Sequence, residues 1–556
     1  MFGPDRELFF MKLQKPQFLG DATAMANFSP QGVYDLKVVS KQLGDELESW
    51  TQTLRRAPDS GPHTYVGDVR AAYDHIKAGI GRNTDVVIRK IQVPACSEGP
   101  VLLVCLDDIV EIHTVEQNIV EPLLRTKVPA DKWDQGAIDP MDVSRATEWP
   151  DILEKLASGN TLIFVPNLAY AWVAGTSKFP QRSVTRPQTE LAVRGPEEAF
   201  NEVLTTQKGQ IRHRIHSPDL MFLDLTVGSV QKASVAIAYV ERIANPALVT
   251  TVVERVKAIR VDSIVNMGQI AGIIRDHPLS IFPTARQTER LDIAVWRLMQ
   301  GAVLVMLDGD PFVLIAPSPL IDFYRTAMDY SSSWVDTSFV RLIRFVGWIF
   351  GIYLPAVYVA FAAVNPSILP SSLFVVMQAG NVGMAFPGLI QVLLMILIIE
   401  TLREAALRLP KNLSTTIGTV GAIVVGTAVV KAGLINTQIV IMMTLTALSI
   451  FSTPVYELTG TWRVLGWFML MAAFVLGIVG IVLVTMAVLV DMKSFGAPYF
   501  EPWAPFRESD WADAIWRAPW TRVTKRWSGP RPQVSQWRNP RAVTARPRLK
   551  RRKMGW

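Results

Sequence analysis

The sequence predicts an α/β cytoplasmic head of two subdomains, followed by an all-α polytopic membrane domain and a basic tail. Three observations lead there. Residues from about 345 to 490 are almost unbroken hydrocarbon, whereas the first 340 mix charged and apolar residues as a water-soluble fold does. The chain of 556 residues is too long for one core. Its mean hydropathy of +0.24 with 19% charged residues is a hybrid value, too apolar for a soluble protein alone. The division expected is an N-terminal extension at 1–60, a first subdomain at 61–180, a second at 181–335, a transmembrane helical domain at 340–490 and a Trp- and Arg-rich tail at 491–556.

In chain order, Asp68 precedes an amphipathic helix at 69–80. Strands are expected at 85–91 and 101–106, and helical spacing runs over 109–124. Segments 161–165 and 169–174 flank Pro166-Asn167, a turn between two strands. The second subdomain opens with Gly195-Pro196, read as a helix start with proline in its first turn and Phe200, Val203 and Leu204 as its apolar stripe. Strands follow at 221–227 and 233–239. Asn245-Pro246 caps a helix over 248–259, and Asp308-Gly309-Asp310 turns a hairpin between 303–307 and 311–315.

The apolar runs at 345–364, 388–399, 416–435, 439–455 and 464–490 predict four to five membrane helices. The second is shorter than the roughly 18–20 residues that a crossing needs. No export signal precedes the head, and Arg341 and Arg344 stand before the first run, which places the head on the cytoplasmic side. Five crossings would put the basic tail outside, against the same charge rule; an even number removes the conflict. From Asp491 onward fifteen Lys and Arg face five acids, so the surplus behind the net charge of +7 lies in the tail. Beside a membrane domain this favours an anionic lipid surface over nucleic acid. Trp503, Trp511, Trp516 and Trp520, with Arg507 and Arg517 between them, have the composition of a segment lying among lipid headgroups.

Gly418, Ala422 and Gly426 recur at every fourth position, with Thr419 and Thr427 beside them. The stripe reads either as helix packing within one monomer or as the lining of a pore. Glu400, Arg403, Glu404 and Arg408 read either as a self-paired helix end or as a charged ring at a channel mouth. Lys208, Arg212, His213, Arg214 and His216 form a basic patch, either a solvated face or a contact surface. Cys96 and Cys105 read as a structural thiol pair. The six histidines lack ligand spacing, no nucleophile–base arrangement appears, and Gly79 and Gly81 follow a helix rather than a strand. No enzyme, cofactor or metal site is expected.

An ordered set of segments resembles the A-subunit family of spore germination receptors, the GerA type. It comprises Glu190-Leu-Ala-Val-Arg194-Gly195-Pro196 through Phe200, Gln210-Ile-Arg212-His-Arg214-Ile215, Phe282-Pro283 and Thr288-Glu289-Arg290-Leu291-Asp292. Gly301 with Asp308-Gly309-Asp310-Pro311, Glu400-Thr-Leu-Arg403-Glu404-Ala405 with Arg408-Leu-Pro410, and Ser494-Phe-Gly-Ala-Pro-Tyr499 complete it. The stage-five sporulation membrane protein of the F type shares the layout. The resemblance implies a multi-pass subunit in the endospore's inner membrane, assembled as a ring, a pentamer, around a cation channel that nutrient binding opens. A permease-like B subunit and a lipoprotein C subunit would be its partners. Arg194, Arg212, Arg214, Glu289 and Arg290 are then candidate subunit contacts. The rival readings are an accessory paralogue that amplifies ion release and a non-conducting scaffold of the receptor complex.

Overall fold

The computed structural model describes residues 64–537 apart from 97, 136–137, 139–141, 179–185, 193, 276–277, 409–420, 422–426, 495–512, 520–522 and 524. The extension at 1–60, the pore candidates Gly418, Thr419, Ala422 and Gly426, and the terminal basic cluster lie outside the described residues.

The first subdomain is a five-stranded sheet in the order β1-β2-β4-β5-β3, every pairing antiparallel. Its strands are β1 (Val86–Ile91), β2 (Val101–Leu106), β3 (Val143–Ala146), β4 (Asn160–Phe164) and β5 (Ala171–Gly175). β2, an uninterrupted apolar run, is buried along its whole length between β1 and β4, as a central strand should be. Helix α1 (Val69–Gly79) starts where the Asp68 carboxylate accepts from the Arg70 and Ala71 amides. The helical stretch expected at 109–124 is interrupted: α2 (Ile112–Val115) and α3 (Glu121–Arg125) flank a π turn, Glu116–Val120. Helix α4 (Trp149–Ala157) packs its buried face, Trp149, Ile152 and Leu156, into the same core. Asn167 takes the left-handed conformation, φ 63°, in the turn toward β5. Both cysteines are free thiols, and burial pushes the Cys105 thiol up to about 11.

The second subdomain is another antiparallel five-stranded sheet, in the order β6-β7-β9-β10-β8. It contains β6 (Leu220–Val227), β7 (Ala233–Val240), β8 (Arg286–Thr288), β9 (Val303–Leu307) and β10 (Val313–Ala316). Two apolar clusters cover its faces. Helices α6 (Pro246–Lys257) and α7 (Met267–Ile273) form one; α5 (Leu204–Arg214) and α8 (Leu291–Met299) form the other. Asn245 caps α6 as expected, its side chain accepting from the Ala247 amide.

The helix expected from Gly195-Pro196 does not form there. Gly195 has φ 118°, the Pro196 carbonyl accepts from Arg290, and Ala199 runs extended beside Arg290. The helix begins eight residues later, where the Leu204 amide reaches Asp308 Oδ1 at 3.0 Å. Thus the predicted β9–β10 hairpin, with Gly309 at φ 89°, supplies the cap from a distant strand end.

The C-terminal part is a helical bundle: α9 (Trp334–Val359, continued by a π turn, Ala360–Val364), α10 (Ser371–Asn381), α11 (Gly388–Arg408), α12 (Thr437–Phe451), α13 (Tyr456–Leu476) and α14 (Ile478–Ser494). Among the described residues two helices are long and apolar enough to cross a membrane, Trp334–Val364 and Tyr456–Leu476, where four to five were expected. Thr437–Phe451 and Ile478–Met492 are shorter apolar helices. The run expected at 464–490 is two helices because Gly477, at φ 62°, breaks it. Asn365 Oδ1, at the end of the α9 segment, accepts from the Ile478 amide at 3.1 Å and holds the corner.

Helix polarity follows from these contacts. α9 leaves the head and ends at Asn365. α13 starts against the head, where Glu457 accepts from the Gln287 amide and Thr461 donates to the Ile281 carbonyl, and it runs to the Gly477 corner. α14 returns, and Ser280 donates to Asp491 at 3.2 Å. The middle of α9 meets the end of α12, where Gly347 and Gly351 allow close approach: a Cβ on Gly351 would stand 3.1 Å from Ile450 Cγ1.

Candidate functional site

The second subdomain, the first three turns of α9 and the segment 513–537 meet in a buried ionic joint. Arg341, on α9, is wholly buried; its Nε donates to Asp329 at 2.9 Å and its Nη1 to Asp513 Oδ1 at 3.0 Å. One turn on, Arg344 donates to the Tyr324 carbonyl at 2.7 Å and to Asp329 at 3.3 Å. Arg517 donates to the carbonyls of Asp329 and Ser332, both at 2.6 Å, and its amide to Ser338 Oγ at 3.1 Å. Tyr330 donates to Asp513 Oδ2 at 2.8 Å. Burial raises the Asp329 carboxyl, but Arg341 and Arg344 outweigh it and hold it below its ordinary value. The Tyr330 hydroxyl is pushed up to about 12 by burial and by Asp513. Asp329 is therefore ionised at neutral pH, and Arg341 and Arg517 tie together segments far apart in sequence.

The C-terminal segment continues onto the head. Arg526 donates to the Met299 carbonyl at 2.8 Å, the Trp527 amide to Gln300 at 2.7 Å, and the Gln533 amide to the Ile243 carbonyl at 2.9 Å. Trp527 is buried beneath the guanidinium groups of Arg297 and Arg325, 5.1 and 4.9 Å from its ring.

These placements correct several expectations. Arg341 and Arg344, expected only as charges standing before the first apolar run, are the buried centre of the joint, where Asp329 and Asp513 pair them. Arg517 belongs to the same joint rather than to a headgroup-seeking segment; Trp516 is exposed, and Trp503, Trp511 and Trp520 lie outside the described residues. The basic patch is not a solvated face at Arg212 and Lys208. Arg212, 1% exposed, pairs with wholly buried Asp85 of the first subdomain at 2.8 Å, and Lys208 pairs with Asp108 at 3.4 Å and Asp224 at 3.0 Å. The Arg212–Asp85 and Lys208–Asp108 pairs bind the two subdomains together. Gly209 permits this, since a Cβ there would stand 2.7 Å from the Asp108 carbonyl oxygen. Burial pushes the Asp108 carboxyl up to about 7 despite Lys208.

Of the other contact candidates, Arg194 is exposed and Arg214 pairs with Glu198 at the surface. Glu289 and Arg290 are consumed inside the chain. Glu289 accepts from the Thr189 hydroxyl at 2.7 Å and the Glu190 amide at 3.1 Å; Arg290 grips Asp292 at 2.9 Å and the carbonyls of Glu190 and Pro196. The segments around 190–200 and 288–292 are thus structural mates. In the bundle Glu400 pairs with Arg403 one turn on and with Arg463 of α13 at 2.7 Å, so it bridges two helices. Glu404 is exposed on α11, Arg408 ends that helix, and Thr427 sits on an exposed helical turn. Among the described residues no group of three or more His, Cys, Asp or Glu side chains is placed to hold a metal.

The fold and this joint define a class: a two-sheet head locked to an apolar helical bundle by buried arginine–carboxylate pairs. The profile of the Bacillus/Clostridium GerA spore germination proteins matches residues 74–528, and the chain belongs to that family. It is similar to spore germination protein KA of Bacillus subtilis (strain 168), at 31% identity over 81% of this chain and 84% of that protein. It is also similar to spore germination protein GerLA of Bacillus cereus, at 35% identity over 68% of this chain and 77% of that protein. Among solved structures it matches the N-terminal domain of the A subunit of the Bacillus megaterium spore germinant receptor GerK3, at 25% identity and a TM-score of 0.35, covering 46% of this chain and 96% of that one.

Proposed function

We propose that this chain is the A-type subunit of a germinant receptor and forms an oligomeric, nutrient-gated cation channel, a pentamer, in the inner membrane of the endospore. The head and the tail face the cytoplasm. A permease-like B subunit binds the nutrient, a lipoprotein C subunit completes the complex, and anionic lipid meets the basic tail. The family supports the receptor role. The observation that carries the gating reading is the joint, in which Arg341 and Arg344, on a helix of membrane-crossing length, hold Asp329 of the strap (residues 317–333, between β10 and α9) and, through Arg341, Asp513 of the tail. A displacement of the head cannot leave that helix behind without separating buried charges, which costs several kcal/mol per ion.

The packing of segment 513–537 on the head supports an even number of crossings between them, the reading that avoids the conflict between five crossings and a basic tail. Glu400 with Arg403 and the pore candidates around Thr427 then belong to a multi-pass bundle rather than to a single anchor. The test is conductance of the purified chain in planar bilayers, with its mass in native lipid measured in parallel. Cation currents altered by Thr427→Trp, from a pentameric species, support the channel. A silent monomer overturns it and leaves the scaffold reading.

A further inference from the structure

A cavity of about 210 Å³ lies between α8 and the strap that leads into α9. Its wall on α8 is one helical face, with Asp292, Ile293, Trp296 and Arg297 contributing, and the strap supplies Arg325 and Tyr330. Arg286, Arg297 and Arg325 all line it, each with a side chain less than one-tenth exposed. Burying three guanidinium groups in one place is expensive unless each is fully paired, and here the pairing is incomplete. Arg286 has Glu190 and the Asp322 and Arg325 carbonyls, Arg297 has Asp322 at 2.7 Å and the Pro317 carbonyl, and Arg325 donates to the Asp513 carbonyl. Arg325 reaches its carboxylates only at long range, 3.9 Å to Asp322 and 3.7 Å to Asp513. The other carboxylate of the wall, Asp292, is already held by Arg290. The Nε–H groups of all three arginines have no acceptor in the protein. Trp296 stands 5.3 Å from Tyr330 and 4.7 Å from Trp537, so an aromatic surface adjoins the cationic one.

We propose that this cavity binds a small anion with a phosphate or carboxylate head and an apolar or aromatic body. The oxyanion would accept from the guanidinium donors that the protein leaves over, the geometry that arginine forks recognise, while the body would lie against Trp296. The volume suits the assignment: it corresponds to roughly seven waters at about 30 Å³ each, enough for a single-ring organic anion. The occupant has two sources with the same chemistry, a dissolved organic anion or a lipid headgroup phosphate, since the cavity adjoins the strap that enters α9. Either would clasp α8 of the head and the strap together. The inference stands whether or not the bundle conducts ions.

The test uses the full chain in nanodiscs. Phenyl phosphate, with inorganic phosphate as the bare oxyanion, is titrated by calorimetry into discs of purely zwitterionic lipid. In a second arm, discs containing phosphatidic acid but no soluble anion are compared by thermal unfolding. Binding of phenyl phosphate that weakens roughly tenfold or more in Arg297→Gln and in Ala327→Leu, which fills the cavity and removes no charge, supports a dissolved ligand. Stabilisation seen only with phosphatidic acid, and lost in Ala327→Leu, supports the headgroup source. Ala327→Leu guards against misreading an unfolded arginine variant. No response in either arm, or a response equal in wild type and Ala327→Leu, overturns the proposal.

Discussion

Asp108 shows how a single buried side chain sets a pH dependence for the head. Its carboxyl titrates near 7 in the folded chain and near the ordinary aspartate value when unfolded. Between about pH 4 and 7 the native state therefore binds more protons than the unfolded state, so stability falls as pH rises through that window and levels off above it. Asp108→Asn should abolish this component, making the unfolding midpoint of the head less steep between pH 5 and 7; an unchanged slope would assign the dependence to another group. Arg341 makes the opposite case, a charge whose removal strands its partners. Arg341→Met leaves Asp329 and Asp513 facing each other without it and should cost about 3–5 kcal/mol in denaturant unfolding. A loss under 1 kcal/mol would mean that water reaches the joint. Neither residue announces itself in sequence. Arg341 and Arg344 have the spacing of a helix edge beside an apolar run, and nothing local shows that Asp513, 172 residues away, completes them. Arg212 misleads in the same way: a run of basic residues looks solvated until a wholly buried Asp85 arrives from the other subdomain.

Elements whose signals are local are legible, and those capped from afar are not. Asp68 and Asn245 sit beside the helices they cap, so both starts can be read directly. The start of α5 depends on Asp308, 104 residues further on, and Gly195-Pro196 is a false start because Arg290 takes its carbonyl. Asp308→Ala should therefore fray α5 and cost about 1 kcal/mol, seen as faster amide exchange at Leu204 while the β9–β10 hairpin keeps its protection. The sheets are a second instance. Strand positions follow from apolar periodicity, but the all-antiparallel order does not, because alternation of helix and strand leaves direction open. In the bundle, hydropathy merges α13 and α14 into one run, since glycine is apolar enough to pass unnoticed. Gly477 makes the corner through a positive φ, and a Cβ there would collide with Asn365 Oδ1. Gly477→Ala should cost on the order of 1–3 kcal/mol for the backbone alone and lower the thermal midpoint in detergent. A neutral outcome would show that the corner has room to relax.

At the scale of the whole molecule, the decisive contact is the return of the chain to its own head. Composition sends the basic tail toward lipid, yet Arg517, Arg526 and Trp527 spend their donors on the strap and on α8. The head thus carries both ends of the bundle, α9 through Asp329 and the segment after α14 through Asp513, and the two are clamped by one arginine. A bundle held at both ends answers to head movement as a unit, whereas a bundle held at one end can swing. This arrangement leads to a prediction about topology that hydropathy alone leaves open. Ser229 of the head and Ser535 of the tail should lie on one side of the membrane, and Ser367, beyond the end of α9, on the other. In a background with Cys96→Ser and Cys105→Ala, single cysteines at these three exposed positions can be labelled in sealed vesicles by a membrane-impermeant maleimide. Positions 229 and 535 should react together and 367 only after permeabilisation, or the reverse in vesicles of opposite orientation. Labelling of 535 in step with 367 would place the tail across the membrane from the head, break the joint as a coupling element, and with it remove the physical basis for gating through α9.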